Sequence, residues 1–456
     1  MQPIKIKKIL IASRGEIALR ILRTCQSMGI KTVAIYTEPD KQQKHLRLAD
    51  ETVCIGEAYS YVNIEHVITA ALATKADAVH PGYGFLAENA DFADQLAAHN
   101  IRLIGPSSDL IRLMGNKVTA KECAQKLGIP CVPGSTPVTS IAHAQQIGKT
   151  IGYPVMLKAS AGGAGRGMRI IHHEDDLPKI LEQAQKEALT HFGSDQVYLE
   201  KYIHAPRHIE VQILADTYGH VLCLGSRDCS IQRKHQKIVE ESPPPGIPDD
   251  ILHDIYEKCI TACEKMGYSS AGTIEFLYKD GHFYFIEMNT RIQVEHPITE
   301  VRTGIDIVKE QIDIASGKSY EKSAIVPQNG SAIECRICAE DPDTYAPHPG
   351  TITEYHMPSG PGIRVDDYVY HGYRIPHHYD SMIAKIIAHS TDRESCVRKT
   401  LAALNECLIG GIKTNIPLLK RILTHPEFEK QPSILFLDNN MTGENHDRKT
   451  TKATAQ

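Results

Sequence analysis

Little in this chain marks a membrane, secreted or nucleic-acid-binding protein. It has no apolar run of the roughly 18 residues that a transmembrane helix needs. Its start, Met1-Gln-Pro-Ile-Lys-Ile-Lys-Lys-Ile-Leu10, leads straight into a strand pattern without a separate signal-peptide core. There is no basic excess: the net charge of -5 is the wrong sign for a general nucleic-acid binder. The 12 cysteines are scattered over 456 residues, which fits reduced thiols better than a disulfide framework. Only Cys335 and Cys338 have metal-like spacing, and on a strand their odd separation puts them on opposite faces, against a zinc site. No repeat of about 20 to 50 residues is present. The expectation is a cytoplasmic protein with no membrane or nucleic-acid partner.

Two nucleotide motifs are also missing. The first ~110 residues alternate strand and helix patterns (Lys8–Ala12, Glu16–Met28, Lys31–Tyr36, Ala76–His80) and predict a doubly wound α/β domain. No G-x-G-x-x-G follows the first strand, so dinucleotide binding is not expected there. Further on, Pro154-Val-Met-Leu-Lys158 runs into Ala159-Ser-Ala-Gly-Gly-Ala-Gly-Arg-Gly167 and then Met168-Arg-Ile-Ile171. This lacks the G-K-[ST] of a Walker loop and has no helix after it. Strand, glycine-rich loop and strand instead suggest a hairpin flap whose backbone N–H groups approach phosphate, with Lys158 beside it.

The densest chemistry lies between Glu275 and His296. Thr273–Tyr278 and His282–Met288 are rich in aromatic and β-branched residues, and Lys279-Asp-Gly281 is turn chemistry, so a β-hairpin is predicted. Strand alternation puts Glu287 and Asn289 on one face. A three-residue loop with Gly281 left-handed would bring Glu275 to that face; a two-residue loop would send it to the other. In the first case two carboxylates and an amide converge, a set suited to Mg²⁺. The bland alternative is a pair of glutamates on a solvated face, which the apolar flanks disfavour.

These segments, in this order, resemble the biotin carboxylases, the ATP-grasp component of biotin-dependent carboxylases. The resemblance rests on Ser13–Ile21, His80-Pro-Gly-Tyr-Gly-Phe-Leu86, Ile104-Gly-Pro-Ser-Ser108, Met114-Gly-Asn-Lys117, the glycine loop, Pro206-Arg-His-Ile-Glu210, Arg227–Lys237, Glu287–His296, Tyr379-Asp-Ser-Met382 and Gly411-Ile-Lys-Thr-Asn415. It implies a Rossmann-like N-terminal domain (1–113), a helical linker (114–130), an ATP-grasp lid (131–203), an ATP-grasp catalytic region (204–330) and a mixed β/α C-terminal domain (331–438). The polar segment 439–456 has no periodicity and is expected to be disordered.

The resemblance also implies a reaction, in which ATP phosphorylates bicarbonate and the carboxyl group passes to biotin on a carrier protein. Lys117, Lys158, Ala164 and Gly165 would then neutralise phosphates, and Glu200, Lys201, Tyr202 and Ile203 would flank the adenine. His208 and His235 fall near the nucleotide, and Glu275, Glu287 and Asn289 match ligands for Mg²⁺ or Mn²⁺. Arg291, Lys237, Arg336 and the backbone at Val294 match an anion site for bicarbonate, and Glu295 a general base whose pKa its cationic neighbours would lower. Arg336 is also the implied stabiliser of the biotin enolate. Tyr83 and Gly84 match positions near the biotin ring, with Gln232 and Gln293 close by.

Ala161 and Ala164 stand where the family loop is often glycine, Ser13 where asparagine is usual, and Cys338 where a polar or aromatic residue is common. The chain has no Met-Lys-Met biotin attachment sequence, so carrier and carboxyltransferase are expected as separate chains, with a homodimer implied by the family. Acetyl-CoA is the expected final acceptor; pyruvate or another oxo acid is the alternative. A different ATP-grasp carboxylate–amine ligase could use the same phosphate and metal groups, but Arg336, Glu295 and the Lys237 loop favour the first reading.

Overall fold

The computed structural model describes residues 4–134, 137–159, 168–233 and 236–441. Ala161, Ala164 and Gly165 of the glycine-rich loop, His235, and 442–456 of the tail lie outside these residues.

The first five strands are β1 (Lys8–Ile11), β2 (Lys31–Tyr36), β3 (Glu51–Cys54), β4 (Ala78–His80) and β5 (Arg102–Leu103). They form a parallel sheet in the order β3-β2-β1-β4-β5. Central β1 is apolar on both faces because helices cover both. Ile9 and Ile11 join the core containing helices Gly15–Ser27 and Ile307–Ala315, while Leu10 packs toward Ile64–Ala73 and Ala90–Ala98. The carboxyl ends of β1 and β4 carry Ser13–Glu16 and Pro81–Phe85, where an open α/β sheet presents ligand-binding residues.

A small antiparallel sheet follows, made of β6 (Val155–Ala159), β7 (Arg169–Ile171) and β8 (Val197–Lys201) in the order β7-β6-β8. Val155, Leu157 and Ala159 are buried and Met156 and Lys158 are not, so alternation turns Lys158 away from the lid's own core.

The large sheet contains β9 (Arg207–Ala215), β10 (Val221–Arg233), β11 (Gln236–Ser242), β12 (Ser270–Lys279), β13 (His282–Asn289), the short β14 (Ala324–Ile325) and β15 (Ser331–Cys338). Beyond the separate ribbon of β16 (Glu354–His356) with β19 (Leu408–Gly410), it is completed by β17 (Ile363–Asp367) and β18 (Met382–Ser390). The order is β13-β12-β9-β10-β11-β15-β18-β17, with β14 beside β10. One continuous ladder thus joins the hairpin bearing Glu275 and Glu287 to the strand bearing Arg336.

That hairpin corrects the condition set on Glu275. Lys279 pairs with His282, so the loop is the two residues Asp280 and Gly281, both at positive φ (51° and 83°). This connection by itself would put Ile286 opposite Glu275. A register shift leaves Ile286 as the extra residue: Phe276 pairs with Phe285, but Glu275 pairs with Glu287. The bulge, not a longer loop, brings both carboxylates to one face.

At the other end, the helix Phe436–Asn440 runs through Asn439 and Asn440, two residues into the segment expected to lack structure. The buried Phe436 and Leu437 tie it to the C-terminal core, and Ile434 N donates to Pro206 O at 3.0 Å.

Candidate active site

Two cavities meet at Lys237. The first, of about 370 Å³, lies between the lid and the hairpin. Asn116 caps the helix that begins with Lys117 by accepting from the Val118 and Thr119 N–H groups, which fixes Lys117 at the cavity wall. Lys158 enters from β6, and Glu200 on β8 sits between Lys158 Nζ (2.6 Å) and Lys121 Nζ (2.7 Å). Burial acts to raise the Glu200 pKa, but the two ammonium groups outweigh it and hold the carboxylate low. The backbone around Lys201, Tyr202 and Ile203 continues the wall, while the Lys201 ammonium turns away to Gly152 O at 2.8 Å.

Glu275 and Glu287 face this cavity from one rung of the hairpin. Burial and then the Glu275 charge raise the Glu287 pKa; Lys117, 4.0 Å away, opposes them weakly. A divalent cation suits this excess of carboxylate. Asn289 shares the face, but its Nδ2 donates to Glu275 at 2.9 Å and its Oδ1 accepts from Arg291 at 2.7 Å. The convergence of three free oxygens expected from alternation is therefore two carboxylates plus an amide whose oxygen Arg291 holds. His208 Nε2 lies 3.0 Å from the second oxygen of Glu275.

Lys237, lining both cavities, reaches Glu210 at 2.5 Å, Glu295 at 2.6 Å and Glu275 at 2.9 Å. Desolvation would lower its pKa, but the three carboxylates raise it well above the usual lysine value. Fully buried Arg227 supports the cluster from behind, bonding Glu210, Gln212 (2.7 Å), Thr299 (2.8 Å) and Gln293 (3.0 Å). Gln293 passes the contact on, donating to Glu275 at 2.7 Å. Glu295 accepts from Lys237 on one oxygen and from Arg336 Nη2 at 3.0 Å on the other. Burial pushes Glu295 up, yet Lys237, Arg336 and Arg227 together hold it far below the carboxylate range.

The second cavity, of about 440 Å³, is walled by Glu16, Tyr83 and Gly84 from the first domain and by Val294, Arg336 and Tyr379 from the others. The Tyr83 hydroxyl bonds Glu16, and fully buried Lys385 lies 3.2 Å from Glu16 while donating to Val294 O at 2.6 Å.

Most residues singled out in the sequence come together around these cavities. Gln232, grouped there with Tyr83 and Gly84, instead lines the first cavity, its amide 3.0 Å from His208 Nδ1 and donating to Cys229 O at 2.8 Å. Arg291 is held by Glu88, whose Oε2 accepts from Nε at 2.8 Å. Glu88, Lys121, Glu210, Arg227, Glu240 and Lys385 were missed. Glu210 ended one of the quoted motifs and Glu88 stands two residues beyond another, but the pairings that engage them span 17 and 203 residues.

A lysine-walled cleft under a lid, beside a paired-carboxylate face and a buried cationic anion site, is the architecture of an ATP-dependent ligase. Three family models cover most of the chain: "Biotin carboxylase, N-terminal domain" at 5–111, "Carbamoyl-phosphate synthase L chain, ATP binding domain" at 116–323 and "Biotin carboxylase C-terminal domain" at 334–438. The chain is 54% identical over 431 residues to a biotin carboxylase of Haemophilus influenzae, covering 93% of this chain and 96% of that one. It superposes at TM-score 0.92 and 46% identity on a Campylobacter jejuni biotin carboxylase–nucleotide complex, covering 95% and 99% of the two chains. At TM-score 0.90 and 46% identity it also matches the biotin carboxylase domain dimer of Hydrogenobacter thermophilus 2-oxoglutarate carboxylase, solved with MgADP, ADP and bicarbonate, covering 96% and 98%. The chain belongs to the biotin carboxylase family.

Proposed function

We propose that the first cavity takes MgATP, that bicarbonate sits between Arg291, Lys237, Val294 and Arg336, and that the second cavity takes the biotin of a carrier protein. The observation that carries this reading is Lys237, which borders both cavities and fixes Glu295 between them. Lys117 and Lys158, with Ala164 and Gly165 of the flap, meet the phosphates; Glu200 to Ile203 meet the adenine side, and His208 and His235 the nucleotide. Glu275 and Glu287 hold the divalent cation, with Asn289 beside them, and that cation supplies charge neutralisation at the β- and γ-phosphates.

Glu295, kept ionised by its three cations, takes the bicarbonate O–H proton. The freed oxygen forms a bond to the γ-phosphorus as the bond to the ADP oxygen breaks, giving carboxyphosphate and ADP. Carboxyphosphate then yields CO₂, which bonds to N1' of biotin, and inorganic phosphate, the strongest base released in the site, which accepts the N1' proton. Arg336 balances the enolate charge that develops on the ureido oxygen.

The division at about 113, 130, 203 and 330 is the domain scheme of this reading. It further takes the chain to be a cytoplasmic homodimer working with a carrier protein and a separate carboxyltransferase, with acetyl-CoA as acceptor in fatty acid biosynthesis. Among the described residues no helix is long and apolar enough to cross a membrane. The 2-oxoglutarate carboxylase domain is nearly as similar as the other relatives, which keeps an oxo acid as the second reading of the acceptor. Bicarbonate-dependent ADP release should rise with free biotin and require Mg²⁺; absence of the biotin response, where a known biotin carboxylase responds, would overturn the proposal. Purification with the native carrier and assay against acetyl-CoA, pyruvate and 2-oxoglutarate separates the acceptors.

A further inference from the structure

Arg336 leaves β15 between carboxylates from two different elements. Its Nη2 donates to Glu295, and its Nε donates to Glu240 Oε1 on β11 at 2.6 Å. Glu295 has a proton to take and a second cation in Lys237. Glu240 has no proton to take and Arg336 as its one ion-pair contact among the described residues: it has no exposed surface, lines neither cavity, and its Oε2 has no hydrogen-bond partner among them.

Directly across the β11–β15 ladder from Glu240 stands Glu334. It too is fully buried, and neither of its oxygens has a hydrogen-bond partner among the described residues. Two acids facing each other inside a sheet are costly, and one of them must carry a proton. Burial raises the Glu334 pKa well above the ordinary carboxylate value against the pull of Lys385, and with no ion pair of its own among the described residues Glu334 is the member whose neutral form the site favours. Glu240, hydrogen-bonded to a guanidinium, is the member whose charge has a use. The neighbouring rungs, Val239 with Cys335 and Glu241 with Ile333, show that the ladder itself does not call for an acid pair.

We propose that Glu240 is a positioning residue for the carboxyl-transfer half of the reaction: by gripping the Nε edge of Arg336 it presents the remaining N–H groups of the guanidinium to the biotin ureido oxygen. The grip matters most when Glu295 takes the bicarbonate proton, because the Glu295 hold on Nη2 then weakens while Glu240 keeps the guanidinium in plane. This rests on the proposed reading of the second cavity as the biotin site.

The charged and titratable groups facing Glu240 are Arg336, Glu334 and Cys335 on β15, Lys237 on β11, Glu295 before the helix His296–Thr303 and Cys229 on β10, with Lys385 on β18 behind Glu334. Burial raises Glu240 most; Arg336 opposes, Glu295 adds to the rise, and the carboxyl is pushed up to about 7. Glu240 therefore loses its charge, and with it the stronger grip, as pH falls through about 7.

The test compares Glu240→Ala, Glu240→Gln and Glu334→Gln with the wild-type chain, using free biotin. Expected are a biotin KM raised roughly ten-fold or more in Glu240→Ala, an intermediate rise in Glu240→Gln, which keeps an acceptor without charge, and an ATP KM within about two-fold of wild type in both. The wild-type decline in kcat/KM for biotin below pH about 7 should be absent in Glu240→Gln. Glu334→Gln, isosteric with a protonated carboxyl, should stay within about two-fold of wild type in biotin KM. An unchanged biotin KM in both Glu240 variants, or ATP and biotin KM rising together, overturns the proposal. Biotin-independent, bicarbonate-dependent ADP release by the wild-type chain is read alongside; its absence is a failure of the functional reading instead.

Discussion

The two cavities solve opposite electrostatic problems. On the nucleotide side, Lys117 and Lys158 are partly open to solvent, and Glu287 has a single weak ion-pair contact among the described residues. On the other side Arg336, Glu240 and Glu295 are desolvated and paired with one another. In the proposed reading, a polyanion arriving with its own metal brings the charge that completes the first site. The bicarbonate and biotin ureido group proposed for the second bring one charge or none, so that site must be organised in advance. The difference teaches that preorganisation is concentrated where the ligand contributes least.

Lys237 joins the two regions, and removing it should break the contrast most severely. Lys237→Met leaves Glu210, Glu275 and Glu295 without their common ammonium, and about 3 to 5 kcal/mol of stability should be lost along with turnover. Chemical denaturation and ADP release measure this; a variant of wild-type stability would show that the cluster is not held by that lysine.

Glu295→Gln should touch the second region alone, cutting biotin carboxylation by roughly 10²- to 10⁴-fold while nucleotide binding by titration calorimetry stays close to wild type. Because cations depress the folded-state pKa of Glu295, its ionised form stabilises the fold above the ordinary carboxylate pKa and loses that contribution as pH falls below it. The stability gap between wild type and Glu295→Gln should accordingly be full near neutral pH and shrink below about pH 4, as followed by thermal melts across pH.

Inserting one alanine between Ile286 and Glu287 should disturb only the nucleotide side. With the added residue opposite Glu275, alternation turns Glu287 to the other face, and metal-dependent ADP release should collapse while the hairpin still forms, as read by circular dichroism. A rate near wild type would mean that the paired face is not the metal site. The smallest effect is expected for Lys117→Ala, whose ion pair with Glu287 is partly exposed: stability should change by less than about 0.5 kcal/mol. Its ATP KM should rise about ten-fold, the loss of one charge-assisted contact to phosphate. Equal KM values in variant and wild type would remove Lys117 from the phosphate site.

Local pattern carried much of this in the sequence. The hydrophobic runs of β1, β2 and β6 and the alternation along β12 and β13 are short-range signals, and the structure has those strands with ends within three residues of the expected ones. The phase between Glu275 and Glu287 was not legible, because a bulge at Ile286 leaves no mark in composition and the turn suggested the alternative route. Long-range ion pairs were illegible for a different reason. Glu88 meets Arg291 across 203 residues, and Glu240 meets Arg336 across 96, so neither carboxylate announces its partner nearby. In β15, Ala332-Ile-Glu-Cys-Arg-Ile-Cys338 does not reveal that Glu334 will be fully buried, since only the packing of β11 and β18 on either side removes it from water.

The bulge at Ile286 also separates the tip of the hairpin from its base. Since the phase of Glu287 is set beside the paired carboxylates, the turn at Asp280 and Gly281, with Asp280 exposed, is free of that duty, and lengthening it need not shift the carboxylates. The tip is therefore an insulated handle, a place where a tag or spectroscopic label can be spliced into the middle of a catalytic strand pair while the register at the working end is kept by a single residue.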